Sequence, residues 1–193
     1  MCKRLALVIS AITSIASLGV QAADTETSAE RPVDFYLSGQ AVYTQIKASG
    51  ESFSPALFQI KANIDFNAMK TRGIGLQGVI GMAMSDDSAN GMTLDVPQQS
   101  AIYVTLTDPN TEPEDLKISI LLGYASTKIE TELPNLGETG KTSDNFSDFS
   151  YGFSLQDQIV AGKPFYWTLD LVRYYKDDDL RVDGLGFGVT YAF

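Results

Sequence analysis

The feature that most constrains this chain is the alternation of apolar and polar residues along most of its length. In the stretch FQIKANIDFN, residues 58–67, every second residue is apolar and the residues between them are polar. A period of two places alternate side chains on opposite faces of a β-strand. The same pattern predicts eight strands, over residues 35–44, 58–67, 74–84, 101–106, 118–127, 149–156, 165–174 and 182–193.

The first residues have a different pattern, typical of a secretory signal peptide. Two basic residues come first, an uncharged run follows, and small residues stand at the positions that signal peptidase reads, ending with Ala22. We predict a signal peptide over residues 1–22, a short polar leader over 23–33 and a barrel domain over 34–193. An N-terminal membrane anchor is the alternative, but the run is shorter than the roughly 20 apolar residues that span a bilayer.

Charge and residue types exclude several functions. The chain has 14 basic and 24 acidic residues, a net charge of −10, and no histidine. We expect no nucleic-acid partner for such an acidic chain, and the usual Ser-His-Asp triad and most zinc sites need histidine. Its one cysteine, Cys2, falls in the predicted signal peptide. The sequence therefore predicts no enzyme, no cofactor and no catalytic or metal-ligating residue, although a serine–lysine arrangement stays open.

The composition of the two strand faces distinguishes two kinds of barrel. The polar face consists mainly of Gly, Ser, Ala, Thr and Gln, which fit the narrow interior of an eight-stranded barrel. Aromatic residues lie mostly toward strand ends, as in interfacial girdles, and most strands approach the 9–11 residues, roughly, that cross a bilayer. We predict an all-β, eight-stranded antiparallel up-and-down transmembrane β-barrel with its apolar face toward lipid. A soluble lipocalin-like barrel with the two faces exchanged is the alternative.

Three charged residues fall on the predicted interior face: Lys61, Asp65 and Asp170. A charge inside a narrow barrel needs a partner, so we predict a buried ion-pair network of Lys61 with Asp65, extended by Asp170, that fills the interior. A path for protons or small ions is the alternative. A wide solute pore is excluded because eight strands leave no aqueous channel.

The connections between strands differ at the two ends of the predicted barrel. Those at the end opposite the termini are mostly long and acidic, and cover residues 48–55, 85–98, 129–148 and 176–181. The other connections are mostly shorter. We therefore expect long acidic loops at one end and short turns with both termini at the other.

These patterns resemble the small outer-membrane β-barrel proteins of Gram-negative bacteria, the OmpX/OmpA-like family. The stretches ISILLGYASTKIE, DFSYGFSLQDQI and FYWTLDLVRYYKDDDLRVDGLGFGVTYAF carry the similarity. The resemblance implies an outer-membrane location with both termini in the periplasm. It also implies that the barrel-insertion machinery reads the C-terminal strand as an assembly signal, through Leu185, Phe187, Val189, Tyr191 and Phe193.

The functional hypothesis is a non-enzymatic outer-membrane barrel with an envelope-structural or surface-interaction role, acting through its long acidic loops. Its expected partners are outer-membrane lipid and lipopolysaccharide, and the insertion machinery during assembly; the sequence identifies no surface ligand. Two alternatives remain: a secreted or periplasmic lipocalin-like barrel that binds a small apolar ligand, and a narrow ion-conducting, porin-like barrel.

Overall fold

The computed structural model describes residues 33–48, 50–66, 73–110, 115–133 and 140–193. These residues form ten strands: β1 (Val33–Ala48), β2 (Glu51–Phe53), β3 (Ala56–Phe66), β4 (Ile74–Ser85), β5 (Asp87–Ala89), β6 (Met92–Thr107), β7 (Lys117–Glu132), β8 (Lys141–Gln158), β9 (Phe165–Lys176) and β10 (Leu180–Ala192). The predicted signal peptide and all of the predicted leader except Val33 lie outside the described residues. Within the described ranges, no helix is long and apolar enough to cross a membrane.

Eight of the strands close into an antiparallel barrel. Each long strand pairs with the next one along the chain, in the order β1, β3, β4, β6, β7, β8, β9, β10, and β10 pairs with β1 from Tyr36↔Ala192 to Ala48↔Leu180. The short strands β2 and β5 pair with β1 and β6 beyond the closed wall. The predicted all-β, eight-stranded antiparallel barrel is confirmed.

Several strands extend into the segments predicted as long loops. The segment 85–98 contains β5 and the beginning of β6, joined by a tight turn at Asn90 (φ 51°) and Gly91 (φ 77°). Two consecutive residues with positive φ form the turn type that suits a two-residue β-hairpin. β7 and β8 likewise reach Glu132 and Lys141. The predicted strand ends were wrong here, because Gly, Pro and Asp residues interrupt the apolar alternation without ending the strand pairing.

The barrel wall has an apolar exterior and a polar interior over most of its height. Large apolar side chains such as Ile80 (63% exposed) and Phe187 (60%) point outward. Gln99 and Thr190 point inward and are almost fully buried. The orientation is that of a barrel in lipid, where the surroundings are apolar, and it opposes the lipocalin-like alternative.

The polarity reverses in the part of the barrel farthest from the termini. There the interior holds an apolar cluster that includes Ile46, Phe53, Leu94, Val96, Leu180 and Val182. Neighbouring positions on the same strands, such as Lys47, Asp95 and Arg181, lie on the opposite, outward face. The prediction of small polar residues throughout the interior is therefore wrong at this end, because strands projecting into water need an apolar inside.

Candidate functional site

The most buried charges of the described barrel are two of the predicted interior residues. Lys61 on β3 and Asp170 on β9 form an ion pair with Nζ and Oδ2 2.5 Å apart, and their side chains are 3% and 4% exposed. Ser154 on β8 donates its hydroxyl proton to the other carboxylate oxygen at 2.7 Å. Both oxygens of the carboxylate are therefore bonded, as a buried charge requires.

The third predicted residue, Asp65, belongs to a separate ion pair. Its carboxylate accepts from Lys117 on β7 and from the side-chain amide of Asn63, the latter at 2.6 Å. The Lys117 ammonium also lies 4.8 Å from the ring centre of Tyr36. Lys117 is absent from the predicted network, although its side chain is on the same, inward face of β7 as that of Ser119, two residues further along the strand.

A small polar cavity of about 20 Å³ lies in the same part of the interior. Both lysines line it, and so do four residues that each have a buried oxygen without a hydrogen-bond partner among the described residues: Asn63, Gln77, Thr105 and Thr168. A cavity of this size and polarity is suited to one ordered water, or a few. The arrangement can therefore hold water beside the two ion pairs.

A layer of glutamine side chains crosses the interior beyond this cavity. Gln40 donates to Gln59 at 2.7 Å, and Gln59 donates to Gln99 at 2.5 Å. The last two meet across Gly81 of β4, which pairs with both and has no side chain to separate them. Gln99 in turn donates to Thr127 on β7. These contacts cross the interior from β1 to β7, and the Tyr174 hydroxyl of β9 accepts from Gln59 at 3.0 Å.

Strand β8 has an uncovered edge at the end opposite the termini. Its ladder with β7 runs to Glu132↔Lys141, but its ladder with β9 begins only at Tyr151↔Arg173. Among the described residues, residues 141–150 of β8 therefore have a ladder on one side only, and the Ser150 hydroxyl donates to the Arg173 carbonyl of β9. At the tip, the Leu133 N–H donates to the Gly140 carbonyl. This bond shows which opposed residues of β7 and β8 are hydrogen-bonded pairs and which are non-bonded pairs.

This hydrogen-bonding pattern identifies the residues whose backbone groups face the uncovered side. In an antiparallel ladder, hydrogen-bonded pairs alternate with non-bonded pairs, so the even-numbered residues 142–150 bond β7. The odd-numbered ones direct their N–H and C=O groups outward: Lys141, Ser143, Asn145, Ser147 and Phe149. The Phe149 N–H is bonded by the carboxylate of Asp148 at 2.6 Å, as expected for a group with no partner strand.

The C-terminal strand has the predicted apolar stripe. Leu185, Phe187, Val189 and Tyr191 point outward and are all partly exposed, while β10 closes the barrel between β9 and β1. Phe193 follows directly after β10. The role of these residues as an assembly signal stays a prediction. No group of three or more metal-ligating side chains comes together in the described part of the chain.

Comparisons with known proteins agree with this architecture. A family model described as outer membrane protein beta-barrel domain matches residues 10–193. Among solved structures, Ail, the attachment invasion locus protein of Yersinia pestis, in complex with the heparin analogue sucrose octasulfate, is 18% identical with a TM-score of 0.62, over 84% of this chain and 100% of that one.

Two further solved barrels are similar in fold. Neisserial surface protein A is 12% identical with a TM-score of 0.56, over 82% of this chain and 97% of that one. The N-terminal barrel domain of Pseudomonas aeruginosa OprF is 13% identical with a TM-score of 0.50, over 81% and 97%. The search among curated proteins found no match.

Proposed function

The chain belongs to the family of outer membrane protein beta-barrel domains, and on that premise we propose that it is a surface-interaction protein that binds an extended segment of a partner along the edge of β8. The proposal rests on one observation, the uncovered edge of residues 141–150. An exposed edge of this length is a template for the addition of a further strand. Both termini then lie in the periplasm, and the edge projects from the cell surface.

The β8 edge has backbone groups that a further strand could bond, and charged side chains lie along it. Asp148 bonds the N–H of Phe149, and four other outward N–H groups have no partner within the described ranges, namely those of Lys141, Ser143, Asn145 and Ser147. Lys141, Asp144 and Asp148 place charged side chains along this edge, a common protection of sheet edges against aggregation. A partner strand therefore needs side chains that tolerate both charges.

A polyanionic ligand is a poorer candidate for this chain. Ail is described in complex with a heparin analogue, sucrose octasulfate, whereas this chain has a net charge of −10. Asp144 and Asp148 lie along the β8 edge itself. We therefore favour recognition of backbone groups over recognition of sulfate.

We infer neither catalysis nor conduction. The chain has no histidine, and the hydroxyl of Ser154, beside Lys61, donates to Asp170 rather than to the lysine. The glutamine layer and the apolar cluster fill the interior above the polar cavity, which leaves the conducting alternative without support. The role thus depends on the exterior of the projecting strands.

The test selects a library of unstructured peptides against the protein in nanodiscs, with empty nanodiscs as background. Selected peptides should bind wild type and Ser143→Ala/Asn145→Ala equally, because both keep the outward N–H groups. They should lose binding at least tenfold with Ser143→Pro/Asn145→Pro, which removes two of those donors and leaves the β7 ladder intact. Equal binding to the proline variant, or no enrichment over empty nanodiscs, would contradict the proposal.

A further inference from the structure

The outward face of the barrel changes character abruptly between two neighbouring rows of residues. The strand register aligns Phe153, Leu171, Leu185 and Tyr43 in one row across β8, β9, β10 and β1. The next outward row, two residues or about 7 Å further along each strand, is Tyr151, Arg173, Asp183 and Gln45. The row after that pairs Arg181 with Lys47 and Lys47 with Ser52.

Lys47, Arg173 and Arg181 lie together just beyond the apolar wall, and we call these three the cationic patch; Lys176, the partner of Arg181 on β9, lies at its margin. One carboxylate, that of Asp183, is shared by both arginines; it accepts from Arg173 Nε at 2.8 Å and from Arg181 Nε. The patch with Asp183 therefore has a charge of about +2 on a chain whose net charge is −10.

Most hydrogen-bond donors of the patch are unused. Arg173 spends two of its roughly five N–H groups, on Asp183 and on the Tyr151 hydroxyl at 2.9 Å, and Arg181 spends one. Lys47 is exposed and forms no ion pair with any described residue. The side chain of Arg181 is 41% exposed, so its terminal nitrogens can be reached from outside.

Lys47 and Arg181 face each other directly across β1 and β10. Like charges in opposed positions destabilise a sheet, unless an anion lies between them. Asp183 pairs with Arg181, but Lys47 has no such partner among the described residues. Glu51 pairs with Ala48, one step farther from the apolar wall, and Asp177 accepts from the N–H groups of Asp179 and Leu180 within its own turn. An anion bound from outside would relieve the remaining repulsion.

We propose that the cationic patch binds a phosphate group of a glycolipid in the outer leaflet, with its acyl chains against the row of Leu171, Leu185 and Tyr43. Guanidinium groups bind phosphate through paired N–H donors, and a lysine adds a point charge. The apolar row directly beneath distinguishes a lipid phosphate from a free one. The inference depends on the proposed orientation in one respect, because the orientation decides which leaflet supplies the lipid.

The test measures apparent Kd by native mass spectrometry of the detergent-solubilised protein titrated with bis-phosphorylated lipid A. The same glycolipid without phosphates and inorganic phosphate are the two comparison ligands. We expect Lys47→Gln/Arg181→Gln to weaken lipid A binding by about 25-fold, roughly fivefold for each charge at a membrane surface. Lys47→Gln alone should weaken binding about fivefold, and Lys163→Gln, on the exposed β8–β9 turn, is its matched control and should leave the Kd unchanged.

Three results would overturn the patch as a lipid phosphate site: equal affinity of wild type for the dephosphorylated glycolipid, equally tight binding of inorganic phosphate, or the same loss with Lys163→Gln. Heat-modifiable gel migration verifies that each variant is folded. The orientation is tested separately by labelling Asp178→Cys with a membrane-impermeant reagent on intact cells, with the parent protein as background. A detergent micelle has no outer and inner leaflet, so the lipid A binding result does not depend on the outcome of the labelling.

Discussion

Breaking the buried Lys61–Asp170 pair should destabilise the barrel more than any loss of a surface charge. The two charged atoms are 2.5 Å apart, which corresponds to an attraction of about 7 kcal/mol at an effective dielectric constant of about 20. Desolvation of the two ions offsets most of this gain. The pair is therefore close to neutral overall, whereas either partner alone is costly.

Lys61→Met leaves the Asp170 carboxylate with only the Ser154 hydroxyl as a donor. Removing one partner of a buried pair costs about 3–5 kcal/mol. We therefore expect a loss of about 3–5 kcal/mol in the free energy of unfolding.

The assay is urea unfolding of the protein in phospholipid vesicles, followed by the fluorescence of Trp167, the one tryptophan of the chain. The double variant Lys61→Met/Asp170→Asn should recover most of the stability, giving a coupling energy of at least about 2 kcal/mol in the mutant cycle. Lys163→Met, on an exposed turn, should change stability by less than about 0.5 kcal/mol. Additive effects of the two single substitutions would refute the reasoning.

Four further predictions follow from the described residues. Gly123→Ala should lower the free energy of unfolding by about 1–3 kcal/mol or more in the same assay, because a Cβ there would lie 1.9 Å from the Ile102 carbonyl oxygen. Gly78→Ala is the control and should be tolerated, because its Cβ would meet nothing within 4 Å. Phe193→Lys should lower the amount of protein recovered in outer-membrane fractions, if the C-terminal strand is the assembly signal. Planar bilayers with purified protein should show no stable open channel, because the glutamine layer closes the interior. Hydrogen bonds from the Leu180 and Asp179 backbone N–H groups and from the Tyr175 hydroxyl lower the pKa of Asp177. The stabilisation that these bonds give is present above the ordinary aspartate pKa and is lost as the pH falls through the lowered pKa. The chemical shift of the Leu180 amide should therefore change only at a pH below about 3.8.

The barrel could be predicted from the sequence because one rule, the period of two, applies along all eight strands. The side chains of residues 58–66 alternate as predicted, with the exception that burial weakens toward the end of β3. The strand ends could not be predicted in the same way. Leu94 and Val96 continue the inward stripe of β6, but Asp95 and Pro97 between and after them are typical of loops, and the register shift between Asp95 and Gln98 accommodates the proline.

The sequence predicts which charged residues lie in the interior, but not which of them form ion pairs with each other. Parity alone places Lys61 and Asp170 inside, but which cation meets which carboxylate depends on the height of each residue in the closed barrel. That height follows from the stagger of all eight strands, which a single sequence does not reveal. Asp65 therefore pairs with Lys117 rather than with Lys61, and the outward cationic patch became visible only when the register aligned three strands.

On neighbouring strands of the barrel, the outer face loses its apolar side chains within one or two rows, and apolar side chains become frequent inside toward the same end. On β9 the outward side changes from Leu171 to Arg173, and the inward side from Asp170 to Val172. On β1 the outward change runs from Tyr43 to Lys47, while Thr44 gives way inside to Ile46. A wall surrounded by lipid can keep its polar groups only inside, and a wall surrounded by water needs its apolar groups there. This change supports the proposed position of the cationic patch at the edge of the hydrocarbon layer, where lipid phosphates lie.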